Sequence, residues 1–372
     1  MAIDGKAIDL KEIETYLLPN HESQILIDWP SSIQGRNHDV TLNISEIDGV
    51  PDAIKFNSSD SLSLSFPANT YFPRKIVMEE CTGAWCGYCP RGMATIKQAY
   101  ETYPDNFLAI ALHKEDEMYP SNKSYDGIID QFEYVPNGLI NRAYELDPDW
   151  FSLRGIIEEE KDNAEATIAA SAYFSKTDST YVDVDTETIF GFDDNGLAKY
   201  SIAYVILEDS VGPYIQTNYY SDPSAVEDDD PKNWMNDWAL KDFRTLVLYN
   251  DVARAIYDEY RGTMGSVPEV ITEGEKYTYH YSLRLPDNIQ NKKNIRVATL
   301  LIDGYSGEIL NADCTKVVYD PEKASGIAMP CIDETGVFDI YSINGVKIRN
   351  RATSLDNLPK GIYIINGKKV IK

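Results

Sequence analysis

The sequence holds no apolar run near the ~20 residues that a membrane-spanning helix needs, so insertion of this chain through a helix is not expected. Basic charge is in short supply. Lys and Arg total 34 against 60 Asp and Glu, for a formal net charge of −26. Such a polyanion repels nucleic acid and anionic membrane surfaces, so neither is expected as a partner. The start, Met1-Ala2-Ile3-Asp4, lacks the basic residues and apolar core of an export signal. That leaves a cytosolic protein or a mature chain whose signal has been removed. Cysteine is sparse, at five, and the count alone does not choose between them. Apolar and aromatic residues are plentiful. Hydrophobic residues make up 43% of the 372, enough for buried cores in two to four domains. Tyr outnumbers Phe 26 to 11, and Tyr suits half-wet sheet surfaces, so the composition leans towards β-structure.

Four regions follow from periodicity. Residues 1–72 read as β-rich, with alternation over 24–29 and 39–45 and turn chemistry at Asp48-Gly49 and 57–61. Residues 73–165 alternate between types. A strand over 74–80 leads into a helix over 90–103. The six-residue run FLAIAL at 107–112 suits a strand buried on both faces of a parallel sheet. A short helix over 125–132, a strand over 138–141 and a helix over 149–165 complete a βαβ pattern. From 166 to 331 the period becomes two. Tyr200, Ile202, Tyr204 and Ile206 make one stripe, and Tyr277, Tyr279, Tyr281, Leu283 and Leu285 make another. Strands over 295–301 and 315–319 extend the pattern to a β-sandwich. An acidic loop at 227–231 reads as solvated, with calcium binding the alternative. Residues 332–372 differ in sign. Positions 341–372 carry seven Lys or Arg and one acid, Asp356, near +6. Asn344-Gly345 and Asn366-Gly367 are tight-hairpin signals, so a small separate β-module is expected there.

The chemistry centres on Cys86-Gly87-Tyr88-Cys89. A strand precedes it, Trp85 abuts it, and a helix with Pro90 near its start follows. A cysteine at a helix N-terminus faces unpaired N–H groups and the positive end of the helix dipole, which favour thiolate over thiol. Cys86 is therefore the expected nucleophile. Cys89, one turn on, would resolve the mixed disulfide. Two metal readings stand beside this one. Cys81, Cys86, Cys89 and His113 could supply four zinc ligands. Cys81-x4-Cys86-x2-Cys89 has the spacing of one plant-type iron–sulfur loop, although Trp85 and Tyr88 intrude on it and the fourth cysteine is remote. The strand–helix setting accounts for the pair without metal or cofactor, and none is assigned.

The run EECTGAWCGYCPRG, Glu79 to Gly92, resembles the thioredoxin-like core of the 28-kilodalton outer-membrane protein family of Bacteroidetes. AIALH (Ala109 to His113), VPNGLINR (Val135 to Arg142) and LNADCTKVV (Leu310 to Val318) resemble the same family in order. The resemblance covers about residues 74–320, and Cys81 departs from it where an aromatic residue is expected. A third thiol there could shuffle disulfides with the pair. The resemblance to thioredoxins implies that Glu80 is a buried acid handling the proton of the inner cysteine. It also implies that Pro136 is a cis-proline packed against the dithiol. Trp85, Tyr88 and His113 are accessory candidates; His113 ends the apolar strand, where open α/β sheets present ligand edges. His21, His38 and His280 receive no role, and His280 should face away from the Tyr279 and Tyr281 stripe. A Cys314–Cys331 disulfide is a candidate in an oxidising compartment.

The tail carries a second resemblance. VFDIYSINGVKI (Val337 to Ile348) and LPKGIYIINGKKVIK (Leu358 to Lys372) are similar to the type IX secretion C-terminal sorting domain of the same phylum. That implies export, with the signal trimmed from the mature chain, followed by removal or surface anchoring of the module. The expectation is thus a multidomain α/β plus all-β protein. A thioredoxin-like domain would be flanked by an N-terminal β-domain, a β-sandwich and the C-terminal module. Its function would be extracytoplasmic thiol–disulfide exchange, in the periplasm, outer membrane or cell surface, with disulfide- or thiol-containing proteins as substrates. The alternative is a non-catalytic surface binding or structural protein. The substrate, the direction of exchange and the oligomeric state are not fixed by sequence.

Overall fold

The computed structural model describes residues 1–8, 37–44, 46–47, 49–51, 59–175, 178–194, 196, 199–225, 234–319, 338–342, 347–352, 362–365 and 368–371, with 27, 30 and 358 singly. The first six strands are β1 (Ala2–Ile3), β2 (Lys6–Ala7), β3 (Asn37–Asn43), β4 (Glu46–Ile47), β5 (Val50–Pro51) and β6 (Ser59–Ser65). They form a sheet of order β2-β1-β3-β6 and a β4-β5 pair. Of the strand expected over 24–29 only residue 27 is described, and the rest lies outside the described residues.

The dithiol region follows. It comprises β7 (Ile76–Thr82), α1 (Pro90–Thr102), β8 (Phe107–His113), α2 (Asp126–Ile129), β9 (Asn137–Ile140), β10 (Tyr144–Leu146) and α3 (Trp150–Glu160). Each begins where its chemistry dictates. Pro90, lacking an N–H, takes the first position of α1, where the N–H has no partner. Asp149 caps α3 by accepting from the Ser152 N–H at 3.0 Å. β7 and β8 pair in parallel, from Ile76↔Phe107 to Thr82↔His113. Both are buried at every residue. On one face Ile76, Met78, Phe107 and Ala109 pack with Ile96 and Ala99 of α1 and Leu153 and Ile157 of α3.

Later come β11 (Ala166–Phe174), β12 (Tyr181–Phe190), β13 (Tyr200–Glu208), β14 (Val211–Thr217), α4 (Met235–Ala239), β15 (Arg244–Tyr249), β16 (Val252–Tyr257), β17 (Lys276–Arg284), β18 (Ile295–Asp303) and β19 (Ile309–Lys316). Here the expected architecture is overturned. β7 and β8 do not belong to a thioredoxin-like α/β core beside a separate sandwich. They lie inside one mixed sheet of order β10-β9-β7-β8-β16-β13-β18-β19. The joint is the free edge of β8, which β16 meets in parallel at Val252↔Ala111. The core is shared too. Val77, Leu108 and Ile110 belong to the same buried cluster as Ala203, Val205, Leu300 and Ile302. A domain needs a core of its own, and the α/β segment has none on this face. The described residues hold twenty-three strands against four α-helices, a β-rich multidomain fold.

β13 shows why the sequence misled. Its tyrosine and isoleucine stripe reads as one buried face. Ser201, Ala203, Val205 and Leu207 are buried as well, because β13 is central in the eight-stranded sheet. β17 behaves as read. Tyr277, Tyr279 and Tyr281 are half-buried, while His280 faces the other way and meets Asp185 at 2.7 Å. β14 and β15 pair with each other, and β11, β12 and β17 make a three-stranded sheet.

The chain divides into two compact units, 1–171 with 184–281 and 286–316, and 172–183 with 282–285 and 317–372. The first holds the eight-stranded sheet and the dithiol. The second ends in β20 (Phe338–Ser342), β21 (Lys347–Ala352), β22 (Ile362–Ile365) and β23 (Lys368–Ile371), ordered β21-β20-β22-β23. The strands flanking each Asn-Gly pair are antiparallel neighbours. Among the described residues no helix is long and apolar enough to cross a membrane.

Candidate functional site

β7 delivers the chain to the turn at Gly83–Tyr88, and α1 leads it away. Cys86 and Cys89 are joined in a disulfide. Cys89 is the residue before α1 and makes no side-chain cap to it. The Cys86 N–H donates to the Gly83 carbonyl at 3.0 Å, closing the turn. Cys86 Sγ lies 3.6 Å from the Val135 carbonyl oxygen, and the Val135–Pro136 bond is cis. The structure therefore brings the Pro136 segment to the disulfide. Both half-cystines are buried, Cys86 at 4% and Cys89 at 0% exposure.

Much of the cover comes from residues to which the sequence assigned no role. Gln216, on β14, donates from Nε2 to the Cys86 carbonyl at 2.7 Å, and the Tyr249 hydroxyl donates to Gln216 Oε1 at 2.9 Å. The Thr217 and Tyr219 N–H groups donate to the Ala84 and Gly87 carbonyls, each at 2.9 Å. The Tyr219 ring comes so close that a Cβ at position 87 would stand 2.4 Å from it, which is why glycine sits there. Trp85 and Tyr88 remain exposed on either side. Trp85 Nε1 donates to the Lys114 carbonyl at 2.8 Å, and the Tyr88 ring meets Tyr219 edge-on at 5.0 Å.

Side-chain alternation along β7 sorts the other candidates by face. Glu80 points with Ile76 and Met78 towards α1. A Cβ on Gly92 would stand 1.8 Å from Glu80 Oε1, so the carboxyl rests directly on the first turn of α1. Glu80 is buried, and Oε1 has no hydrogen-bond partner among the described residues. Burial, with the nearby Asp251 carboxylate as a second cause, pushes its pKa up to about 8. Glu80 is thus a neutral acid at pH 7. Cys81 points the opposite way, into the core with Tyr125 and Ile128, and the structure does not bring it to the pair. Burial pushes its thiol up to about 12, which keeps it protonated and a poor nucleophile. On the same far face Glu79 meets Arg142 twice, Oε1 to Nη2 at 2.6 Å and Oε2 to Nε at 2.8 Å, and accepts from the Tyr125 hydroxyl at 3.2 Å.

His113 is fully buried at the end of β8 on the α1 side. Its Nδ1 lies 2.7 Å from Asp116 Oδ2, and its ring meets Tyr249 edge-on at 5.2 Å. Burial works to raise the Asp116 carboxyl. Hydrogen bonds from His113 and from the Ala84 and Met118 N–H groups outweigh it and hold the group below its ordinary range. With Cys81 on the far face and Cys86 bonded to Cys89, the four ligands of the zinc reading are not gathered. No group of three or more His, Cys, Asp or Glu among the described residues could hold a metal. Cys314 is a thiol that burial pushes up to about 11, with Arg296 Nη1 3.4 Å away. Cys331 and the acidic loop at 227–231 lie outside the described residues.

The fold and site define a β-rich protein with a buried CxxC disulfide at the N-terminus of a helix. The neutral acid Glu80 lies behind that helix's first turn. No family model and no curated protein matches the chain. Among solved structures it is similar to HBP35 of Porphyromonas gingivalis at 16% identity and a TM-score of 0.49, over 81% of this chain and 99% of that one. It is also similar to a domain of the outer membrane lipoprotein Omp28 from the same organism, at 16% identity and a TM-score of 0.23, over 42% and 92%. Both scores lie below 0.5.

Proposed function

We propose that the chain is an extracytoplasmic thiol–disulfide oxidoreductase working through Cys86 and Cys89. The observation that carries this reading is the Cys86–Cys89 disulfide at the start of α1, with Glu80 resting on the helix's first turn. A substrate thiolate attacks Cys86 Sγ. The new S–S bond forms as the Cys86–Cys89 bond breaks, and the electron pair leaves on Cys89. On this reading Glu80, protonated at neutral pH, supplies the proton that Cys89 then takes. A second substrate thiolate attacks the substrate sulfur of the mixed disulfide and releases Cys86 as thiolate. The substrate leaves oxidised and the protein reduced, so the balance closes without a cofactor. The reverse sequence reduces a substrate disulfide. The helix N-terminus favours the thiolate released at this position. Partners on this reading are proteins bearing thiols or disulfides, with surface attachment through the basic C-terminal strands. The test is disulfide reductase and isomerase activity of the wild type against Cys86→Ala. Loss of activity supports the assignment, and equal activity removes it.

One observation favours a second reading, a structural bridge in a surface binding protein. The disulfide is buried, and the Gln216–Tyr219 segment hydrogen-bonds across its loop. The reduction potential separates the two. A value below about −300 mV marks a bridge that the glutathione pool does not reduce.

A further inference from the structure

A cavity of about 470 Å³ opens on the α1 side of β7 and β8, within the range of small-molecule sites. Neither half-cystine lines it. Glu80 and His113 border it and project from the same sheet face, since Glu80 pairs with Ala111 and Thr82 with His113. Each carries one buried polar atom without a hydrogen-bond partner among the described residues, Glu80 Oε1 and His113 Nε2. An orphaned buried polar atom costs about 1–3 kcal/mol. Trp234 Nε1 is a third on the same lining, and the two that project from one sheet face call for a ligand group that satisfies both.

Their chemistry specifies that group. With Nδ1–H of His113 directed to the Asp116 carboxylate, Nε2 of the neutral ring is an acceptor. Glu80 presents a carboxylic acid. A hydroxyl can both donate to Nε2 and accept from the Glu80 proton. The flanking walls are aromatic, from Tyr100, Trp234 and Trp238. Five acidic or basic groups stand on the rest of the lining, Lys97, Lys241, Asp237, Glu101 and Asp251, the last paired with Arg296 at 2.6 Å. Lys97 is paired with Asp237 at 3.4 Å. Lys241 forms no ion pair among the described residues, and its ammonium lies 4.2 Å over the Trp238 ring.

We infer that this cavity binds a small hydroxylated aromatic carboxylate, its hydroxyl on Glu80 and His113 and its carboxylate on Lys241. The inference shares Glu80 with the redox reading but does not depend on it, because no step involves sulfur.

The test is titration of the full chain, followed by tryptophan fluorescence and calorimetry. The probes are para-hydroxybenzoate, para-hydroxyphenylacetate and para-hydroxyphenylpropionate, which differ only in reach. At least one should bind saturably with one site per chain. Phenylacetate, benzoate or phenylpropionate, lacking the hydroxyl, should bind at least about tenfold more weakly than its counterpart, because the buried polar pair is then left unsatisfied. Lys241→Met should weaken the hydroxylated acid at least about tenfold, the scale of a lost charge-assisted contact, and leave the corresponding phenol alcohol unaffected. Glu80→Gln should narrow the gap between the hydroxylated and unhydroxylated acids. Absence of saturable binding for all three acids overturns the proposal. So do equal affinities with and without the hydroxyl, or stronger binding of tyramine than of the acids. A Cys86→Ser, Cys89→Ser chain should bind like the wild type. Retained binding with no exchange activity in the wild type would sink only the redox reading.

Discussion

Glu79 and Glu80 are neighbours on one strand, both buried, and the two faces of the sheet treat them differently. Glu79 faces the core shared with the later strands. There a bidentate Arg142 and the Tyr125 hydroxyl surround it. Glu80 faces α1 and the cavity and receives no cation. Its only recourse is to keep a proton. A carboxylate can be buried as half of an ion pair or as a neutral acid, and a one-residue step along β7 switches between the two. The paired acid is inert and structural. The unpaired one is available for chemistry.

The comparison breaks most visibly through Arg142. Arg142→Met strands Glu79 without its cation and should cost about 3–5 kcal/mol, read as a lowered urea midpoint. A loss below about 1 kcal/mol would mean that the pair contributes little. Pairing this change with Glu79→Leu should recover much of the loss. Next is the packing of Glu80 on α1. Gly92→Ala forces its Cβ onto Oε1 and should cost about 1–3 kcal/mol as overpacking. Combining it with Glu80→Ala should remove most of that penalty, and simple additivity of the two would show that they do not touch.

The third prediction uses pH. Glu80 sits near 8 in the fold against an ordinary 4.5, so the folded state holds the extra proton between those limits. The stability it contributes is whole below pH 4.5 and is lost as pH rises through 8. Glu80→Gln cannot titrate. Its stability from pH 5 to pH 8 should fall less steeply than that of the wild type, by up to about 1.4 kcal/mol per pH unit. Matching slopes would show that Glu80 is not the neutral acid described. The smallest effect is kinetic. Tyr219→Ala should speed reduction of the disulfide by dithiothreitol while leaving the urea midpoint close to wild type. An unchanged rate would show that Tyr219 does not screen the bond.

Much of the local structure was legible in the sequence, and its assembly was not. Pro90 marks the start of α1, the helix expected from residue 149 is α3 and begins at Trp150, and the FLAIAL run forms a strand buried on both faces in parallel with β7. These are short-range signals carried by single residues or one period. The tyrosine stripe of β17 and the orientation of His280 were readable for the same reason. The thioredoxin-like architecture failed at one edge. Nothing in residues 107–113 states which strand will complete β8, and Val252 supplies it. The same blindness hid Gln216, Tyr219 and Tyr249, whose contacts with the dithiol loop are set by tertiary pairing. Gly87 and Gly92 were visible only as letters in a motif. Their purpose, making room for Tyr219 and Glu80, required the partners to be in place.

The Gln216 contact has a consequence in time. Cys86 leaves the ribosome 130 residues ahead of the side chain that will cover its loop. At about 5–20 residues per second, that is an interval on the order of ten seconds. The strand that completes β8 arrives later still. During that window the two cysteines stand on a chain with neither cover nor finished sheet. They are then open to oxidants and partner thiols from the sides that Gln216 and Tyr219 cover in the completed protein, so the bond can form before its cover does.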